Sequence, residues 1–174
     1  MRTAHSIGIV LVFVAGVAAG LAAAGARSSP DLYAGKKPRE AALGLLDVAR
    51  EQAGKGSWEN IGVARVYLLM GEKAKAEEIL NKVRGGKMKK DDWLRIGRLY
   101  EEAGEWDKAK EAFDKALSLD AKDAEYRAEI GAYYNLHGDR EHAEELFAKS
   151  FEIKPDEVWN TVNVAGSYVK VRPQ

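Results

Sequence analysis

Residues 137–146 read HGDREHAEEL, placing two histidines, one aspartate and three glutamates within ten positions. Imidazole nitrogens and carboxylates at such density are ligands for divalent metals, and a histidine beside a carboxylate is a common acid–base pair. Arg65, Arg95 and Arg98 carry a second chemistry, because guanidinium forks bind carboxylates bidentately. Composition removes other classes. The chain has no cysteine, which excludes disulfides, thiolate catalysis, cysteine-based zinc sites and a lipid-modified cysteine. Lys+Arg and Asp+Glu both number 27, so nothing in the net charge draws the protein to nucleic acid or anionic lipid. RGGKMKK (84–90) is a basic loop without interleaved aromatics and reads as a solvated turn. AGKGS (53–57) lacks both the spacing and the preceding strand of a phosphate-binding loop.

Whether any of these groups meet depends on the elements that carry them, and those elements repeat. Gly71, Gly104 and Gly138 keep a fixed phase, as do Tyr67, Tyr100, Tyr134 and Tyr168 upstream. Downstream, Ala76, Ala109 and Ala143 are each followed four positions later by Leu80, Phe113 and Phe147. Self-similarity at this period signals a stack of supersecondary units, each unable to bury its apolar face alone. Each unit reads as two short amphipathic helices joined at the glycine, where a left-handed backbone suits a residue without Cβ. The alanine allows close approach of the two helices, and the tyrosine and Leu/Phe fill the space between them.

The first 26 residues differ from the rest. Arg2 is followed by an uncharged stretch at 7–24 and by Ala24-Gly25-Ala26, the small-residue pattern of a signal-peptidase site. The alternative is a retained membrane anchor, for which this stretch is short and rich in Ala and Gly. Residues 27–36 read as a linker. The folded part is thus expected to be exported, periplasmic or secreted, or else anchored to the inner membrane through 7–24.

At this point the sequence resembles the tetratricopeptide repeat family. In 90–123, Trp93, Ile96, Gly97 and Tyr100 fit W-x-x-L-G-x-x-Y with Ile for Leu, and Ala109, Phe113 and Ala116 fit the second helix, while Ala121 stands where the family usually has Pro. In 124–157, Ile130, Gly131, Tyr134, Ala143, Phe147 and Pro155 fit, with Arg127 for Trp and Ser150 for a small Ala. In 57–89, Val63, Ala64, Tyr67, Ala76 and Leu80 keep the phase. Ala42, Leu46 and Ala49 extend it to a half-repeat at 38–56, and Val164, Ala165 and Tyr168 to another at 158–172. The resemblance implies an all-α, right-handed α-α solenoid of about eight helices over 37–172. The last segment is rich in β-branched residues, which favour strand, but repeat phase assigns it to helix.

The resemblance also implies a function. The first helices of such pairs line a concave groove that holds a peptide or helix of a partner protein. Groove positions are then Trp58, Arg65 and Leu69, followed by Leu94, Arg95, Arg98 and Glu102, and by Glu129 and Asn135. Glu101, Glu102 and Glu129 are also the natural ion-pair partners of the three arginines. The carboxylate clamp of chaperone-binding members is not reproduced: Ile61 and Arg65 replace its first Lys and Asn, and Glu125 and Glu129 replace basic residues. Trp159, Val162 and Val169 leave an apolar C-terminal helix that could dock into a larger assembly. The expected function is therefore an exported adaptor that binds protein and neither nucleic acid nor cofactor. The alternative is a structural subunit of an envelope, secretion or pilus-type assembly, or an oligomer.

Phase also reinterprets HGDREHAEEL. Gly138 ends one helix, Asp139 caps the next, Ala143 packs inward, and Glu144 and Glu145 match the surface acids Glu77 and Glu78. His142 falls in phase with Lys75 and Lys108, hence on a solvated face, and His137 belongs to the other helix. Metal and catalytic sites are not expected.

Overall fold

The computed structural model describes residues 25–173. The signal or anchor reading falls largely on residues outside that range. Among the described residues there are eight α-helices and no strand, preceded by a single 3-10 turn at Pro30–Leu32. The helices are α1 (Pro38–Ala53), α2 (Ser57–Leu69), α3 (Lys73–Arg84), α4 (Lys90–Glu102), α5 (Trp106–Leu119), α6 (Ala124–Leu136), α7 (Arg140–Ile153) and α8 (Val158–Tyr168). None of these is long and apolar enough to cross a membrane. α2/α3, α4/α5 and α6/α7 pack as antiparallel pairs, α1 leans on α2, and α8 packs against α6. This is the all-α solenoid, and the β-branched last segment is helix within it.

Each pair turns at its glycine: φ is +82° at Gly71, +75° at Gly104 and +91° at Gly138, a backbone that L side chains rarely adopt. The following residue donates its N–H back to the phase tyrosine's carbonyl, as in Glu72 to Tyr67, Glu105 to Tyr100 and Asp139 to Tyr134. Those bonds satisfy carbonyls that a helix end would leave open. Ala76, Ala109 and Ala143 are completely buried where the second helix crosses the first. Gly97 and Gly131 lie under the aromatic rings of the second helix. A Cβ on Gly97 would stand 2.3 Å from Phe113 Cε1, and one on Gly131 would stand 2.7 Å from Phe147 Cε1. In the first pair Ala64 occupies that phase, and the residue opposite in register is the smaller Leu80; both are fully buried.

The tyrosines join one pair to the next. Tyr67 Oη donates to Asp47 of α1 (3.0 Å), Tyr100 Oη to Glu77 of α3 (2.8 Å), Tyr134 Oη to Asp114 of α5 (3.3 Å) and Tyr168 Oη to Glu144 of α7 (3.0 Å). Each phenol thus reaches the second helix of the preceding unit. Burial first, and then the Asp47 carboxylate, pushes the Tyr67 phenol up to about 12, so it stays a donor across the physiological range. The residue before each buried alanine covers the ring: Lys75 lies over Tyr67, Lys108 over Tyr100, and the His142 ring meets Tyr134 edge-on at 4.4 Å. The solvated position expected for His142 is therefore a half-exposed packing position against an aromatic face, where cations and imidazole are both accommodated. Ser150, which replaces the family's small Ala, is buried, and its Oγ donates to the Ala124 carbonyl at 2.7 Å.

Candidate functional site

The second residues of α2, α4, α6 and α8 are Trp58, Asp91, Glu125 and Trp159, one column of the repeat. Acids suit the first turn of a helix, where they face the positive end of its dipole. Stacking the four helices brings this column to the rim of a chamber of about 700 Å³ on the concave side. Leu94, Arg95, Arg98 and Glu129 line it, together with Tyr126, Glu157 and Asn160. A second chamber of about 300 Å³ adjoins it, sharing Trp58, Arg95 and Arg98 and adding Arg65, Glu101 and Glu102.

The arginines on this surface are engaged. Arg65 forms a bidentate pair with Glu102 across α2 and α4. Arg98 forms another with Glu129 across α4 and α6, with both contacts at 2.5 Å. Burial opposes the charge on Arg98, but the Glu129 carboxylate outweighs it and holds the guanidinium charged. Arg95 has a different partner, its guanidinium lying flat over the Trp58 ring at 3.8 Å from the centroid. Lys90 bridges Asp120 and Asp123 at 2.7 Å each, and these hydrogen bonds raise its affinity for its proton. Tyr126 donates to Asp91; burial first, then that carboxylate, pushes its phenol up. A guanidinium already held by a carboxylate offers a ligand carboxylate little, so an acid clamp built from Arg65 and Arg98 is not what this geometry presents.

Among the residues proposed from sequence, Trp58, Leu94, Arg95, Arg98 and Glu129 converge on the larger chamber and Arg65 and Glu102 on the smaller. Leu69 is exposed at the far end of α2 and lines neither. Asn135 is a correction. It is buried, and its Nδ2 donates to Ser167 Oγ of α8 at 2.9 Å, because α8 packs directly on α6 and turns that face inward. Trp159, on α8, is 58% exposed and lines the larger chamber together with the groove residues. Val162 and Val169 are exposed. Asp91, Tyr126, Glu157, Asn160 and the tail residues Arg172 and Pro173 were missed. The repeat phase already linked Asp91 and Glu125 to the two tryptophans, so reading one more column would have found part of the set.

The two histidines do not come together. His137 stacks on Trp106 with ring centroids 4.0 Å apart, and its Nε2 lies 3.1 Å from the buried Glu101. His142 is on Tyr134. Asp139 caps α7, accepting from the His142 N–H at 3.3 Å. Among the described residues no group of three or more His, Asp or Glu is placed to hold a metal ion.

A family model described as tetratricopeptide repeat matches residues 91–123, the α4/α5 pair, of which α4 lines both chambers. The match supports a tetratricopeptide-repeat protein, a kind that generally binds other proteins and is generally a non-enzymatic scaffold. No curated protein matches the chain.

Proposed function

We propose that the protein is an adaptor whose concave surface holds an extended segment of a partner protein. The observation that carries this reading is the pair of half-exposed tryptophans, Trp58 at 50% and Trp159 at 58%, on opposite sides of a chamber large enough for several side chains. Large aromatics left half in water over a groove are typical binding anchors. The test is crosslinked capture from the native host: Trp58→Ala with Trp159→Ala should abolish the captured species and leave helicity intact. Retention of the same species by the double variant refutes the groove. We also propose that the adaptor works outside the cytoplasm, on the composition of residues 1–26. N-terminal sequencing of the native protein should begin at Arg27, and an intact N-terminus overturns cleavage.

A second reading has its own support. Val158, Val162, Val169 and Val171 leave the C-terminal end apolar and exposed, whereas terminal solenoid helices usually present a polar outer face. In that reading the end docks into a larger assembly. Val162→Glu should then dissolve a stable complex that the tryptophan substitutions leave whole.

A further inference from the structure

The proposed groove carries an unbalanced charge. Its larger chamber has five acids, Asp91, Asp123, Glu125, Glu129 and Glu157, against Lys90, Arg95 and Arg98. The cations are occupied: Lys90 with Asp120 and Asp123, Arg98 with Glu129, and Arg95 on the Trp58 ring. Glu125 pairs with Lys154 at 2.8 Å, from outside the chamber. Asp91 and Glu157 remain. Asp91 accepts only a phenol proton, from Tyr126, and Glu157 accepts the Trp159 backbone N–H at 3.3 Å. Among the described residues neither forms an ion pair, and two carboxylates against the one guanidinium of Arg95, which keeps its charge on the Trp58 ring, leave the chamber net negative.

A second observation points to a ligand independently of the acids. Asn160, 1% exposed, lines the same chamber, and its Nδ2 has no hydrogen-bond partner. A buried amide donor without a partner costs free energy. Its natural complement is a carbonyl, which an extended peptide offers at every residue, and the side chain must turn outward to meet it because Nδ2 has no solvent contact in the free groove.

The adjoining chamber displays the same chemistry using the protein's own chain. After α8 the backbone turns at Lys170, the Val171 N–H donates back to the Gly166 carbonyl at 2.9 Å, and Arg172 and Pro173, outside any helix, line the smaller chamber. There the Arg172 guanidinium lies 3.3 Å from Glu101, a carboxylate only 4% exposed. A non-helical segment bearing an arginine is thus already accommodated at one end of this groove.

We infer, on the groove reading above, that the partner segment is extended and basic. Its lysine or arginine sits on the Trp159 face with Asp91 and Glu157 as counterions, since Arg95 already lies on the Trp58 ring, and one of its backbone carbonyls accepts from Asn160. Aromatic faces and carboxylates together form a cation site, the ring quadrupole and the charges acting in the same direction.

The experiment titrates the full protein with labelled Gly/Ser peptides of equal length carrying arginines, glutamates or no charge, and follows anisotropy. The arginine peptide should bind tightest and weaken with salt. It should lose roughly three- to tenfold in affinity with Asp91→Asn plus Glu157→Gln, at unchanged helicity. Because Glu157 caps α8, Asp91→Asn alone and Trp159→Phe serve as further variants: the first should weaken arginine-peptide binding and the second should preserve it. Equal or tighter binding of the acidic or neutral peptide, abolished by Trp58→Ala with Trp159→Ala, overturns the charge assignment while keeping the groove. Binding of none of the peptides overturns the inference. If the tryptophan substitutions also leave native partner capture unchanged, the groove falls with it.

Discussion

Gly97 and Phe113 provide a direct test of how the repeat is held together. A methyl on Gly97 would lie 2.3 Å, 2.4 Å and 3.0 Å from three atoms of the Phe113 ring, and Phe113 is fully buried, so the ring has nowhere to retreat. Overpacking of this kind costs about 1–3 kcal/mol. Replacing glycine by alanine within a helix returns about 0.5–1 kcal/mol. Gly97→Ala should therefore destabilise by about 1–2 kcal/mol. Phe113→Leu alone leaves a void and should cost about 1–2 kcal/mol. Together the two substitutions restore the pairing already present in the first unit, where Ala64 and Leu80 are both buried without remaining exposure. The double variant should lose no more than about 1 kcal/mol, a favourable coupling of at least about 1 kcal/mol for residues in contact. Urea unfolding followed by circular dichroism measures all four corners of the cycle. Additivity to within about 0.5 kcal/mol would refute the reasoning that ring and glycine are chosen as a pair.

Other outcomes follow from the same geometry. Tyr100 Oη links Arg84 at 2.6 Å and Glu77 at 2.8 Å, so Tyr100→Phe should cost about 1–2 kcal/mol in urea unfolding, and more than Tyr168→Phe at the half-exposed end. Lys170 holds φ +63° where helix ends prefer glycine, and Lys170→Gly should raise stability by about 1 kcal/mol in the same assay. Glu105 is held below the ordinary 4.5 by hydrogen bonds first from Lys108 and then from Lys73. A depressed carboxylate contributes stability above its unfolded pKa and loses it as pH falls through the folded value. The melting temperature of the wild type should therefore drop more steeply below about pH 4.5 than that of Glu105→Gln, and parallel curves would dismiss the pair.

The period, the turn glycines, the buried alanines and the helical state of 158–168 were legible in the sequence because they are local demands repeated at fixed phase. A β-branched run outweighed by phase shows that tertiary packing, rather than propensity, decides a terminal helix. What escaped is what depends on the neighbour. Asn135 occupies a groove column by phase, but it is buried because α8 packs directly on α6 and covers that face. His142 looked solvated because the lysines in its column are usually placed in water; the Tyr134 ring beneath it is visible only once the helices cross. The three arginines line the two chambers, and of the acids named as their partners Glu102 and Glu129 pair with Arg65 and Arg98, whereas Glu101 meets His137 and Arg172. The cation–π position of Arg95 follows from Trp58 on another helix, which spacing along the chain does not reveal. Arg172 and Pro173 entered the groove through a turn at Lys170 that no repeat column contains.

That turn also affects how the stack comes apart. Solenoid stability is approximately a sum of unit and nearest-neighbour terms, so terminal units can fray independently. The Arg172–Glu101 contact joins the end of the chain to α4, bypassing α6 and α7. Such a link between non-adjacent units adds a modest term, on the order of 1 kcal/mol or less for an exposed arginine, that is lost when α8 and the segment after it separate from the stack. The tail thus lengthens the cooperative unit, and hydrogen exchange should show α8 opening together with the tail rather than residue by residue from its end.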